Sequence, residues 1–431
     1  MVKVKLEVHV PKVFTSDRPA VRFDHLVIET DIGSHPLAGR LPQPTEGPSI
    51  QEGGDSFRDL GALGGCKFPE TLQDYFKSDE PSLALQVISF RDATLVSLNF
   101  PHALTDAVGL SSLIENWCKV LAGREDEVLP LPADDPMDRI DAHQAGAEEP
   151  KVEHVLRDKQ LAGFGLVIFG LYFLFDLLFG PKMQTRVVFL PARSVAALKQ
   201  RAISDLELTG GDESPKSAPF VSDGDILTAL GTKSVAASLG QNSTRSLAVL
   251  NVFELRSRFP TSNIFDTSKF AHVQNAFFIL VCIFSGQQAR GLPLGQVALR
   301  MRQALLEQTT EPQVRAVIRD ARASLKATGR PTVYAEKNSM LMPVTNWSKA
   351  RFYDVVDFGP AVLDSPGGRG GSEDRRGKPS FFFGFESSPK RDPTFRNVWN
   401  ILGKDPKGNY WITGMLSPAT WEKVAEELKT L

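Results

Sequence analysis

Apolar residues follow two different periods along this chain. Over residues 85–98 they fall in two short runs, Leu85, Val87 and Ile88, then Leu95, Val96 and Leu98. The stretch Arg91-Asp92-Ala93 between the runs reads as a hairpin turn, which predicts two paired strands. The spacing then changes. Val108, Leu110, Leu113, Ile114, Trp117, Val120 and Leu121 follow a helical period, and Gly123 stands where a helix C-cap falls. Further helices are predicted over 192–206, Leu294–Gln308 and Pro418–Leu428. Strands alternating with helices in this way predict a mixed α/β fold. The turn-rich polar run 209–219 divides the chain into a first stretch, 1–205, a crossover, 206–220, and a second stretch, 221–431.

The junction between the predicted hairpin and the helix after it carries the candidate chemistry, Pro101-His102-Ala103-Leu104-Thr105-Asp106-Ala107-Val108-Gly109. A histidine with an aspartate four residues later is a weak motif by itself in a chain with seven histidines. His154 and Asp158 repeat the spacing, but inside the charged run 148–160, which predicts a solvated helix whose i and i+4 residues merely share a face. Context separates the two copies. Only His102 stands where a strand hands over to a helix.

With 431 residues, 42% apolar content and a net charge of −2, the chain is large enough for two ordinary domains and offers no electrostatic case for nucleic acid. Cys66, Cys118 and Cys282 lie far apart without ligand spacing, as expected for a reduced intracellular chain with no metal site. The amino terminus alternates charged and apolar residues like a strand and has no secretory h-region. Residues 161–179 are apolar apart from Gly163, Gly165, Gly170 and Asp176. That run has three readings: a membrane span, a helix in peripheral contact with a membrane, or a helix buried over a substrate tunnel. A span would put the two halves of the chain in different compartments, which disfavours it. The glycine-rich loop 365–372 matches neither phosphate-loop spacing and reads as surface loop.

Five ordered segments resemble the BAHD acyl-CoA-dependent acyltransferases. They are Pro36-Leu37-Ala38-Gly39-Arg40-Leu41, the His102 to Ala107 segment with the helix after it, Ser222 to Ala229, Asn251 to Arg258 with Gln274-Asn275-Ala276, and Thr345-Asn346-Trp347 with Asp357-Phe358-Gly359. The departures are equally specific. Pro360-Ala361 stands where the family has Trp-Gly, Pro101 stands where many members have a second histidine, and Glu254 replaces a small residue. Residues 1–34 lack the expected amphipathic helix.

The resemblance implies two chloramphenicol-acetyltransferase-like domains, with the active site in a channel between them. It also implies acyl transfer from acyl-CoA, with acetyl-CoA the expected donor, to a hydrophobic small molecule of specialised metabolism, through oxygen or nitrogen. His102 is the implied general base, a role suited to a side chain that titrates near neutrality. Thr345 and Trp347 match positions near the developing oxyanion. Asp106 is implied to be a strut bonded to Arg256, and Asp357 and Gly359 to hold shape away from the chemistry. No bound cofactor is expected. Arg369, Arg375, Arg376 and Lys378 are candidates for a CoA phosphate. The implied protein is a cytoplasmic monomer, with peripheral membrane contact through 161–179 among the readings of that run. Two other classes stay open: a condensation-type enzyme fed by a carrier-protein thioester, and a non-catalytic binding or regulatory relative.

Overall fold

The computed structural model describes residues 9–65, 68–142, 152–208, 220–259, 264–362, 376–384 and 394–431. Ten strands occur among them: β1 (Arg22–Val27), β2 (Ser49–Glu52), β3 (Ala84–Ser89), β4 (Thr94–Asn99), β5 (Gln184–Leu190), β6 (Ser246–Glu254), β7 (Phe277–Ser285), β8 (Met340–Asn346), β9 (Val398–Lys404) and β10 (Tyr410–Leu416). The helices are α1 (Leu72–Lys77), α2 (Ala107–Leu121), α3 (Arg139–Ala142), α4 (Gly163–Phe179), α5 (Ala192–Glu207), α6 (Asp223–Ser238), α7 (Gly286–Gly291), α8 (Leu294–Gln308), α9 (Glu311–Thr328), α10 (Phe352–Val355) and α11 (Pro418–Leu428).

The strands form two sheets. A small one has the order β1-β3-β4, in which β3 and β4 are the expected antiparallel hairpin, with Leu85 opposite Leu98 and Val87 opposite Val96. The large one has seven strands in the order β2-β5-β10-β9-β8-β6-β7. Its strands come from both sides of the crossover, because β2 and β5 precede residue 206 and the other five follow residue 220. The run 209–219 itself lies outside the described residues, as do the amino-terminal residues 1–8 and the glycine-rich loop 365–372.

The main core fills one face of the large sheet. Leu198 of α5, Ile226 and Leu230 of α6, Val297 of α8 and Val424 of α11 pack on Val188, Leu247, Met342, Ile401 and Ile412. Each fully buried aliphatic side chain of this kind contributes about 1.5–3 kcal/mol. Helix α6 starts with a capping box, in which Ser222 and Asp225 satisfy each other's backbone N–H groups. Along each strand alternate residues point to the other face, where Val187, Phe189, Leu402 and Trp411 meet Tyr353 and Phe381 to Phe383.

Two expectations are corrected here. Residues 152–156 are not helical, and His154 is buried rather than solvated: its ring lies 4.8 Å from that of Tyr334, and Nδ1 accepts from the Leu156 amide at 3.3 Å. The run 161–179 is a helix from Gly163, but it is not buried over a tunnel. Phe169 is its one buried residue, and Phe164, Leu171, Phe175, Leu178 and Phe179 are each more than half exposed. No helix among the described residues is long and apolar enough to cross a membrane.

Candidate active site

His102 sits in a tight turn after β4, closed by the Leu104 amide donating to the Pro101 oxygen at 2.8 Å, and its side chain is exposed. Its main-chain oxygen accepts from Asn275 Nδ2 at 2.8 Å, so a residue 173 positions later fixes the turn. Four residues on, Asp106 caps α2 by accepting from the Gly109 amide at 2.8 Å. Gly109 has no room for a side chain. A Cβ there would lie 2.3 Å from the Val273 oxygen, so the first turn of α2 rests directly on the 272–276 backbone.

That backbone also supplies the partners of Asp106. Its Oδ2 accepts from the Ala276 amide at 2.7 Å and from Arg256 Nη1 at 3.2 Å, while Arg256 Nη2 lies 3.1 Å from Oδ1. Arg256 completes its donors with Nε to the His272 oxygen at 3.2 Å and Nη2 to the Gln274 oxygen at 2.6 Å. The two side chains retain only 6% and 12% exposure, so the ion pair is buried and forked. Asp106 makes no hydrogen bond to the His102 imidazole among the described residues. It holds the loop through backbone and arginine.

Glu254, an unexplained departure in the sequence, has a place in this hub. Its carboxylate accepts from the Arg256 amide and from Ser257 Oγ at 3.0 Å, and Lys349 Nζ lies 3.7 Å away. It caps the turn that aims Arg256 inward. Burial pushes the Lys349 ammonium below the usual lysine value, with Glu254 opposing the shift. Beneath the hub, His272 is buried, and neither ring nitrogen has a partner among the described residues. Burial pushes its imidazole below the ordinary histidine value.

Trp347 belongs to the same neighbourhood. It joins an apolar cluster with Leu98 at the end of β4 and Ala107 at the start of α2, the elements that bracket the His102 turn, and its ring meets Phe352 edge to face. Its indole N–H has no hydrogen-bond partner among the described residues. Thr345, two residues earlier on β8, donates from Oγ1 to Asn400 Oδ1 at 2.7 Å. Thr345, Asn400 and Thr413 stand opposite one another on β8, β9 and β10. Asn400 and Thr413 line a narrow cleft walled by Asp55, Arg58, Thr185 and Phe395.

Asp357 and Gly359 are at the far end of α2. The Asp357 amide donates to Cys118 Sγ at 3.2 Å, and Phe358 packs on Trp117 at 4.8 Å. Eleven residues of helix separate Ala107 from Cys118, about 17 Å at 1.5 Å per residue. The Gly359 amide donates to Asp357 Oδ1 at 3.0 Å, and Lys378 Nζ lies 2.8 Å from Oδ2, which pulls the carboxyl below the usual aspartate value. Pro360 and Ala361 continue as one turn of 3₁₀ helix. Lys378 is thus engaged by Asp357, while Arg369 and Arg375 lie outside the described residues.

The architecture is that of a mixed α/β protein with two sheets, in which His102 stands on a turn where a strand hands over to a helix. The Transferase family model matches residues 68–366, and the chain belongs to that family, the BAHD-type acyltransferases. O-acetyltransferase PaAT-2 of Phomopsis amygdali is 35% identical over 99% of this chain and 86% of its own length. Transcriptional regulator calD of Penicillium decumbens is 31% identical over 99% of this chain and 83% of its own length. Among solved structures, F. sporotrichioides TRI101 complexed with coenzyme A and T-2 matches with a TM-score of 0.61 at 14% identity, covering 97% of this chain and 82% of that one. That likeness is one of fold.

Proposed function

We propose that the chain is a monomeric acyl-CoA-dependent O-acyltransferase, taking acetyl-CoA as donor and a hydrophobic alcohol as acceptor, with His102 as general base. The observation that carries the reading is the exposed imidazole on a turn fastened from the other half of the chain by Asn275, Arg256 and Ala276. His102 takes the acceptor's hydroxyl proton as the oxygen attacks the thioester carbonyl. The tetrahedral oxyanion then collapses, the carbon–sulfur bond breaks, and the imidazolium returns the proton to the CoA thiolate.

The indole N–H of Trp347, without a partner among the described residues, is the donor we assign to the oxyanion. Thr345 has a single hydroxyl proton, and Asn400 already accepts it, so Thr345 donates to an oxyanion only when the Asn400 amide presents its N–H side instead. Support for acyl-CoA comes from the relative named an O-acetyltransferase and from the TRI101 crystals holding coenzyme A. The reading places the protein inside the cell, where acyl-CoA is made. The test is release of free CoA thiol from acetyl-CoA in the presence of a panel of hydrophobic alcohols, with product mass increased by one acetyl group. The relative named a transcriptional regulator favours a second, non-catalytic reading. Thiol release at the background rate across an acyl-CoA panel would decide for it.

A further inference from the structure

Helix α4 is built unlike the other long helices of this fold. Its outward arc runs from Gly170 through Val167, Leu171, Phe164 and Phe175 to Tyr172, about 200° of the helical wheel at 3.6 residues per turn. Every residue on that arc is apolar, glycine or tyrosine. The one charge of the helix, Asp176, turns inward and is forked by Arg245 at 2.8 and 3.0 Å. Arg245 also lies over the Tyr172 ring at 4.9 Å, so the inner side is fastened and neutralised. Gly180, where the helix ends, is packed against Arg396, whose Nη2 donates to the Pro181 oxygen at 3.0 Å.

Charge distinguishes what covers this ridge. Exposed Arg157 and Lys182 flank the helix, and exposed Lys337 neighbours Asn338, whose oxygen accepts from Arg245 Nε at 2.7 Å. None of these three cations has an ion-pair partner among the described residues. The acidic groups nearest in the chain, Asp158 and Glu336, are taken up by Lys159 at 3.5 and 3.0 Å. A chain of net charge −2 thus places unpaired cations around its most apolar exposed helix. At 17 residues the helix is about 25 Å long, short of the roughly 30 Å of a hydrocarbon core, and its inner side is bonded to the fold.

From the convex apolar arc and its cationic rim, we infer that α4 is a lipid-docking face, lying in the interface of an anionic bilayer with Arg157, Lys182 and Lys337 toward the headgroups. The inference is independent of the acyltransferase reading, because its readout needs neither donor nor acceptor. A protein partner would have to offer a groove embracing more than half a helix, whereas a fluid acyl layer conforms to the ridge unaided.

The experiment is flotation of the full chain with phosphatidylcholine vesicles, with and without phosphatidylserine, at low and high salt. The expected result is co-flotation that phosphatidylserine strengthens at least tenfold and that salt weakens. Phe164→Ser, Leu171→Ser, Phe175→Ser and Leu178→Ser combined should abolish it with circular dichroism unchanged. Leu171→Asp alone, a milder change, should reduce it severalfold. Lys182→Ser with Lys337→Ser should remove the phosphatidylserine preference and leave weak binding to phosphatidylcholine. Failure of the wild type to float, or equal flotation of the fourfold variant, overturns the inference. So does a dimer that the fourfold variant turns into monomer while no vesicle binds, since a second copy would then cover the face.

Discussion

The buried pair Asp106–Arg256 is the most exacting test of how the histidine turn is held. Asp106→Asn keeps the size of the side chain and one acceptor oxygen, but removes the charge and turns an acceptor into a donor facing Arg256 and the Ala276 amide. A buried guanidinium without its carboxylate costs about 3–5 kcal/mol. At about 2.1 cal/mol/K of unfolding entropy per residue, 431 residues give about 0.9 kcal/mol/K, so the melting temperature should fall by roughly 3–6 °C. Asp106→Ala also removes the α2 cap and should cost about 1 kcal/mol more. Arg256→Met should be comparable to Asp106→Asn, since it leaves a buried carboxylate with only two amide donors. Calorimetry and thiol release on the two single variants and the double variant complete the cycle. A coupling of about 2 kcal/mol or more is expected. Additive losses would mean that the side chains do not hold each other, and the account of Asp106 as a strut would be wrong.

Other predictions follow from the same geometry. His102→Ala should abolish thiol release yet leave the melting temperature within about 1 °C, because the imidazole is exposed; His154→Ala should do the reverse, sparing activity and lowering the melting temperature, and equal activity losses in two folded variants would remove His102 as the base. Burial holds His154 and His272 below the usual histidine value, so between that lowered value and about 6.5 the unfolded chain binds protons that the folded chain refuses. Stability is therefore complete above about pH 6.5, falls as the solution is acidified from there down to the folded values, and levels off below them; a His272→Gln variant whose melting temperature falls as steeply between pH 7.5 and 5.5 would exclude that residue as a source. Thr345→Val should lower kcat if the hydroxyl serves the oxyanion, with Thr345→Ser restoring most of it, whereas an unchanged kcat in Thr345→Val would assign the hydroxyl to Asn400 alone.

Local periodicity made part of this architecture legible in the sequence. The hairpin of β3 and β4, helix α2 and helices α8 and α11 stand where the spacing of Leu85 to Leu98, Val108 to Leu121, Leu294–Gln308 and Pro418–Leu428 places them. The large sheet was not legible, because β2 pairs with β5 across more than 130 positions, Ser49 opposite Phe189, and no local pattern reports such a pairing. His154 misled for a related reason. A charged run looks solvated until Tyr334, 180 positions later, covers its one aromatic residue. The run 161–179 could not be resolved among its three readings from the sequence, since apolar composition reports the preference for leaving water and not whether the fold provides a cover; the structure removes the span and the buried helix. Glu254 and Asn275 stood out in the sequence only as a departure and as part of a family-like segment, and their roles were not legible, because their work is done on main-chain atoms of Arg256 and His102.

What those distant contacts share explains how the site is assembled. The segment from His102 to Cys118 is fastened at successive points to residues much later in the chain: His102 to Asn275, Asp106 to Arg256 and Ala276, Ser111 to Ala350, and Cys118 to Asp357. The separations run from 150 to 239 residues, so none of these bonds forms until the two halves have met. Closing loops of that length is slow and entropically costly, and the bonds offset the cost only together. The histidine turn is consequently a product of the finished fold. A change at the Asp357 end of α2, about 17 Å from Ala107, acts on His102 by loosening the helix that carries Asp106, and its signature is a fall in activity that tracks the fall in stability.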